Sequence, residues 1–342
     1  MLSCQLGWAS DSLFTYKGDA YFSPENPTYP THIVPYTNSN NFRLYTGLSD
    51  HTFDLTSKND IKGEYIQRYN PNSAQYVGIS MTYRWATIFL EVDVPGTKKY
   101  KNDSTKGFQS QGFEINTFNR SNGFEAYIRY FKGFINPGSR KKDKYRGDIS
   151  LITLGGNYYH IFNSKKFSYK AANFCSERQL GSAGSFILVG QLFYNNMLGK
   201  NPFFPDSINN TKFLGDEVGL RKIVTTTFAI RPGYSYNITS KNGIWFINPS
   251  IYAGLGVEYH RLYGNQGRNA GLNSQANGMF KLTTGYNGLK FFAYITGYLE
   301  VNTTTFINTI LVHQYQPISF NLGYRFRNKK FKNRYLQYLD LD

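Results

Sequence analysis

The chain has 342 residues and carries 38 lysines and arginines against 22 aspartates and glutamates, a formal net charge of +16. Its 29 tyrosines, 28 phenylalanines and 32 glycines, with only 18% charged residues, favour strands and turns over helices. A mean hydropathy of -0.46, with no run near the roughly 18 apolar residues a membrane-spanning helix needs, excludes a helical membrane protein but not a transmembrane barrel, where only alternate residues meet lipid.

At the N-terminus, MLSCQLGWASDS ends its apolar part on WAS before Asp11, like the small-residue end of a secretory signal, although a basic n-region and a full apolar h-region are missing. Residues 1–10 therefore read as the remnant of a signal peptide whose start lies upstream, and 11–41 as an N-terminal periplasmic segment. A lipoprotein reading of Leu2-Ser3-Cys4 is weaker, because almost nothing apolar precedes the cysteine. Cys4 and Cys175 form neither a CxxC pair nor a metal-ligand spacing, and a disulfide between them is disfavoured because Cys4 sits in the leader.

From residue 42 the chain becomes a series of segments with the two-residue period of half-apolar strands. QYVGISMTYRW (75–85) sets Val77, Ile79, Met81, Tyr83 and Trp85 on one face against Gly78, Ser80, Thr82 and Arg84 on the other. ATIFLEVDV (86–94) follows with almost no gap and makes a hairpin with it. IWFINPSIYAGLGVEYH (244–260) is about twice the length of an ordinary globular strand and suits a tilted membrane wall. Twelve such segments are predicted, near 42–55, 75–85, 87–95, 107–118, 123–132, 146–162, 184–196, 219–232, 244–259, 274–286, 289–301 and 318–326.

The connections alternate long and short, as in barrels with long outer loops and short periplasmic turns. By this reading 56–74, 96–106, 133–145, 197–218, 260–273 and 302–317 lie outside, and 163–183 is the one periplasmic connection that is too long. The fold class is thus all-β: a single closed antiparallel up-and-down barrel over 42–326, porin-like, of twelve strands, with fourteen as the second choice. An even count puts both termini in the periplasm. The closing strand PISFNLGYRF turns Phe320, Leu322, Tyr324 and Phe326 to lipid and pairs with the first strand, so that no edge is left in hydrocarbon. Its final Phe326 sits where an interfacial aromatic belongs and where barrel-assembly machinery reads a terminal strand. Residues 327–342 follow as a basic periplasmic tail, free to dock a partner.

Three stretches carry a resemblance: YNPNSAQYVGISMTYRW (69–85), HIFNSKKFSYKAANFCSERQLGSAGSFILVG (160–190) and LGYRF (322–326). Together they resemble domain-of-unknown-function family 4421 of bacteria with two membranes, across most of the chain. The resemblance implies an outer-membrane barrel and supplies no activity, ligand or catalytic residue. Asn173 and Cys175 stand where more polar family residues are expected. The middle stretch coincides with the long connection 163–183, whose Lys165, Lys166, Lys170, Glu177, Arg178 and Gln179 are too polar for lipid. This segment is expected to fold into the lumen as a plug or to cap the periplasmic end.

Strand parity assigns Arg84, Glu91, Asp93, Glu114, Glu125, Arg129, Glu258, His260, Lys290, Glu300 and Arg325 to the lumen. Both signs are present, so these groups are expected to pair, which favours a plugged or unselective interior over an anion pore. The excess positive charge then belongs to the loops and tail, where it would meet outer-membrane lipid and lipopolysaccharide; its scatter in short connectors argues against nucleic acid. Of the histidines, His260 lies near Glu258, but Ser250 is ten residues away, about 33 Å of strand, so the three cannot form a hydrolytic triad. No specific metal, cofactor or nucleotide motif is present. The expected function is an outer-membrane barrel with a structural, small-solute or partner-docking role and no catalysis, with a lipid-modifying outer-membrane hydrolase as the alternative.

Overall fold

β-branched and aromatic residues on one side of each segment and small or polar ones on the other fit a sheet with two different solvents. The computed structural model describes residues 32–36, 39–57, 64–72, 75–83, 85–100, 109–137, 144–209 and 211–327, with the backbone of three short strands before them. Those three, β1 (Thr15–Lys17), β2 (Ala20–Ser23) and β3 (Asn26–Pro30), make a small sheet of their own, and β4 (Ile33–Pro35) follows. The signal remnant and the basic tail lie outside the described residues.

Twelve antiparallel strands then close a ring. They are β5 (Ser39–Ser57), β7 (Gln75–Tyr83), β8 (Ala86–Asp93), β9 (Ser110–Phe118), β10 (Asn122–Asn136) and β11 (Lys144–Ile161), followed by β13 (Ala183–Leu198), β14 (Lys222–Thr239), β15 (Trp245–Gly264), β16 (Gly267–Asn287), β17 (Phe291–Thr305) and β18 (Thr309–Arg327). Each pairs with its neighbour in that order, and β18 returns to β5 from Thr309↔Ser57 to Arg327↔Ser39. A short strand, β6 (Tyr65–Pro71), wedges between β5 and β10 at the end away from the termini. Closure satisfies both edges of the sheet, the condition for crossing hydrocarbon.

The outward face is apolar and uncovered. Ile251, Leu255, Ile295 and Leu322 are 62%, 74%, 49% and 49% exposed, so no second layer packs on them. Along β15 the outward residues run Trp245, Ile247, Ile251, Leu255, Val257, Tyr259 and Arg261. Ile247 to Val257, at about 3.3 Å per residue and a tilt near 40°, spans roughly 25 Å, the height of a barrel's apolar band. Trp245 packs edge-on against Tyr286 (centroids 5.1 Å apart) at one border, where amphipathic rings belong, and Tyr259 stands at the other.

Two connections read as long outer loops are not loops. β15 and β16 stay paired to Gly264↔Gly267, turning on Asn265-Gln266, and β17 reaches Thr305 before β18 begins at Thr309. Past the band Asn269, Asn273, Asn302 and Thr304 are polar on either face, and Ile310-Leu311-Val312 is apolar on both, so the two-residue period fades while the hydrogen-bonded ladder continues. β14 likewise runs to Thr239, beyond the segment predicted near 219–232 and through Pro232; its ladder to β15 lapses at Arg231 and Pro232 and resumes in the same register at Gly233↔Tyr252.

Two connectors fold inward and close the ends. At the terminal end, 162–182 carries α1 (Tyr169–Phe174) and β12 (Glu177–Gln179). Ser168 caps α1 by accepting from the Ala171 N–H (3.0 Å), Cys175 ends it in the left-handed region (φ 53°), and β12 pairs with β4. At the other end, 199–221, with α2 (Thr211–Leu214), buries Phe203, Phe204, Leu214 and Leu220 against Phe53, Phe134, Leu151 and Phe306 of the barrel interior.

Candidate functional site

Between plug and cap the inward faces enclose a chamber of about 150 Å³. A void of that size has room for several waters or one small molecule. Tyr169, Asn173 and Phe174 of the plug form its terminal-end wall. Phe167, Tyr169, Ala172 and Phe174 pack against Phe118, Tyr159, Ile187, Val189 and Tyr252 of the barrel, which fixes the plug inside the ring.

The side walls bring together Arg43, Arg129, Arg231 and Lys281 with Glu91, Glu114, Glu125 and Glu300, four basic and four acidic side chains, among the phenol rings of Tyr45, Tyr76, Tyr127, Tyr294, Tyr298 and Tyr315. Arg231 Nη1 donates to Glu300 Oε1 at 2.8 Å, and Gln191 Nε2 donates to the same oxygen at 3.3 Å. Arg129 lies 3.9 Å from Glu114 and stacks its guanidinium on Tyr127 and Tyr315, at 4.3 and 4.5 Å from their centroids. Glu125 accepts from Asn157 Nδ2 at 2.8 Å. Arg43 donates to the Tyr294 hydroxyl and lies over Phe89 at 5.0 Å, with its Nε and Nη2 unpartnered. Acidic and basic side chains in equal number, held this way, offer hydrogen-bond donors and acceptors to a small solute.

Toward the cap, His51 and His313 stack at 4.3 Å between centroids, and Phe53 lies flat on His313 at 4.7 Å. These rings stand between the chamber and the capping cluster. Below the chamber, Arg325 fastens the plug: it donates to the Cys175 and Gly288 carbonyls and, at 2.7 Å, to Asn287 Oδ1. Asn287 Nδ2 in turn donates to the Glu177 carbonyl at 2.8 Å, and Arg178 donates to the Asn287 carbonyl at 3.2 Å. Glu177 holds the plug's own shape, accepting from Ser168 Oγ at 2.6 Å and pairing with Lys170 at 2.7 Å, while Gln179 accepts from the Ser168 N–H at 2.9 Å. Lys165 and Lys166 are exposed on the plug's surface. Burial pushes the Cys175 thiol up to about 12, against the opposing pull of Arg325 and Arg43.

Of the residues that parity assigned to the lumen, Glu91, Glu114, Glu125, Arg129 and Glu300 line the chamber. Glu258 and His260 are buried nearer the cap with separate partners: Glu258 accepts from Thr227 Oγ1 at 2.8 Å, and His260 meets Asn273 at 3.2 Å and Phe306. Ser250 bonds Ser235 of β14 and Asn248 of its own strand, far from His260, so no nucleophile-base pair is assembled there. Asp93 sits at the cap end and accepts the N–H groups of Gln109 and Ser110 at 2.7 and 2.9 Å, with Lys98 4.0 Å away. Arg84 lies outside the described residues. Lys290 is a correction: β17 starts at Phe291, so Lys290 belongs to the exposed turn before it and not to the lumen. Sequence reading missed Arg43, Arg231 and Lys281. Arg231 was hidden by the neighbouring proline, whereas Arg43 and Lys281 follow from parity alone in NFRLYTGL and MFKLTTG.

A family model described as a domain of unknown function (DUF4421) matches residues 28–326. The chain belongs to the DUF4421 family. No curated protein is similar to it. Among solved structures, this DUF4421 barrel aligns with the outer membrane protease OmpT from Escherichia coli at 8% identity, covering 84% of this chain and 97% of that one, with a TM-score of 0.40. The beta domain of the Bordetella autotransporter BrkA aligns at 13% identity over 82% and 99%, with a TM-score of 0.37. An outer membrane channel from Pseudomonas putida F1 aligns at 9% over 87% and 97%, with a TM-score of 0.34. Likenesses this slight say nothing of activity.

Proposed function

We propose that the protein is a non-catalytic outer-membrane β-barrel that holds a small polar solute in its closed chamber and passes it on when the plug yields. The observation that carries this reading is the closure of the interior at both ends by segments of the chain itself, 162–182 and 199–221, around a chamber lined by four basic and four acidic side chains. The uncovered apolar band supports the membrane setting, because that much exposed hydrocarbon is not maintained in water. In this orientation the termini face the periplasm, the closing strand is presented to the assembly machinery during insertion, and β4 links the N-terminal segment to the plug through β12. A plug tied in this way is accessible to a periplasmic partner.

Single-channel recording in planar bilayers tests the reading. The intact protein is expected to show no steady conductance at modest voltage, and a variant lacking 164–180 is expected to conduct steadily while still migrating as a heat-modifiable folded barrel. A large steady conductance from the intact protein would overturn the closed-chamber reading. Release of fatty acid from outer-membrane lipid, abolished by His260→Ala, would replace it with a hydrolase.

A further inference from the structure

Just beyond the apolar band, on the side away from the termini, three strands carry a group of cations on their outward face. Lys222 of β14, Tyr263 of β15 and Arg268 of β16 are direct neighbours in the ladder, and Arg261 lies two residues nearer the band, between Val224 and Ala270. The Lys222 ammonium lies 5.1 Å from the Tyr263 ring centroid, and Arg268 Nη2 donates to the Tyr259 hydroxyl at 3.2 Å. Below them the same strands present Phe228, Val257 and Leu272, 55%, 53% and 67% exposed. The cations are therefore at headgroup depth, with acyl-chain surface beneath them.

Their lack of counter-charge sets them apart. Arg68 and Arg146 at the same end are neutralised by Asp54 at 2.6 Å and Asp148 at 2.7 Å. Among the described residues no carboxylate lies within ion-pair distance of Lys222, Arg261 or Arg268, and Arg261 Nε is buried without a partner. Three unpaired cations within about two strand spacings, with two phenols between them, match an anion that carries several acceptor oxygens and is joined to hydrocarbon.

We propose that Lys222, Arg261 and Arg268, with Tyr259 and Tyr263, bind the phosphate-bearing headgroup of a lipid in the leaflet opposite the termini. Arg261 and Arg268 hold the phosphate oxygens, Lys222 adds a point charge, and the acyl chains lie on Phe228, Val257 and Leu272. The site rests on the membrane reading above.

The test uses the full-length folded barrel and bisphosphorylated lipid A as the probe, with retained lipid counted by native mass spectrometry from detergent micelles. Wild type is expected to keep lipid A and to lose it when the probe is dephosphorylated. The triple variant Lys222→Gln, Arg261→Gln, Arg268→Gln is expected to bind on the order of 100-fold more weakly, roughly fivefold for each cation near an anionic lipid surface. The exchange variant Lys222→Arg, Arg261→Lys, Arg268→Lys keeps the charge but loses the forked donors of the two arginines, and is expected to recover part of the retention lost in the glutamine variant. Undiminished retention by the glutamine variant, equal retention of dephosphorylated lipid A, or no rescue by the exchange variant would overturn the site. Flotation with phosphatidylcholine vesicles is read separately: a barrel that fails to float loses the membrane reading itself, whereas one that floats but retains no lipid A loses only this site.

Discussion

Arg231 and Glu300 meet at 2.8 Å across the barrel interior, one from β14 and the other from β17, with two strands between them in the wall. Such a contact spans the chamber side of the ring, with the Arg231 side chain fully buried and that of Glu300 nearly so. Removing one partner leaves the other charge buried and unpaired, which costs about 3–5 kcal/mol. Glu300→Ala is therefore expected to lower the urea midpoint of the detergent-folded barrel, followed by tryptophan fluorescence. The double change Arg231→Met, Glu300→Leu, which removes both charges and keeps the volume, is expected to recover most of the loss. Equal stability of Glu300→Ala and wild type would show that the pair contributes nothing.

Ile251 tests the other face. It sits near the middle of the outward band of β15 and is 62% exposed. In water an exposed Ile→Lys change is close to neutral, within about 0.5 kcal/mol. At the midplane of a bilayer a lysine on a barrel's lipid face costs about 2–4 kcal/mol. Ile251→Lys is expected to fall in the second range when refolding is measured into vesicles, while Lys290→Gln, on the exposed turn, stays within the first.

Strand existence and facing were legible in the sequence because lipid and lumen impose the same two-residue period throughout the wall. Val77, Ile88, Ile251 and Leu322 face out, and Glu91, Glu258 and Arg325 face in, on parity alone. Strand ends were less legible. Beyond the band both faces meet water or protein, so Arg261, Asn269, Asn302 and Thr304 give no apolar rhythm, and two hairpins looked like loops. The pairing of Arg231 with Glu300 was out of reach for a different reason: sequence distance says nothing about which inward residues converge across a ring. The wedge strand β6 had no signature either, since Tyr65–Pro71 pairs with the far end of β5 and meets β10 only at Phe134 and Ile135, past its irregularity at Gly133 (φ 82°).

Glu217, in the turn Gly215–Glu217 of the cap, accepts from the Thr309 hydroxyl and from the Asn308 N–H at 3.2 Å. Burial raises its pKa above the ordinary carboxylate value, although those hydrogen bonds pull the other way. The folded state thus binds the proton more tightly than the unfolded state. Its contribution to stability is fully present below the ordinary carboxylate pKa and is lost as pH rises through the raised one. Comparing wild type with Glu217→Gln by thermal unfolding at pH 4, 5, 6 and 7 isolates this group. The wild type is expected to lose stability relative to the glutamine variant as pH rises across that window, and a constant difference would contradict the assignment.

Cys175 reports on the plug directly. Its thiol is fully buried and its pKa is pushed to about 12 by that burial, so at pH 8 almost none is thiolate and none is reachable. The contact that keeps it there is Arg325, which donates to the Cys175 carbonyl and to Asn287 Oδ1. Arg325→Ala removes these bonds and leaves the plug held by the Asn287 contacts to Glu177 and Arg178, by the β4 pairing and by packing against Phe118 and Tyr159. In a Cys4→Ser background, a membrane-impermeant maleimide added to the reconstituted barrel is expected to label Cys175 slowly in wild type. Labelling is expected to be at least tenfold faster in Arg325→Ala, the effect of about 1.4 kcal/mol lost from the closed state. Unchanged labelling in a variant that still folds would mean that the remaining contacts, and not the arginine, hold the plug shut. Fast labelling of both would mean that the plug is already open.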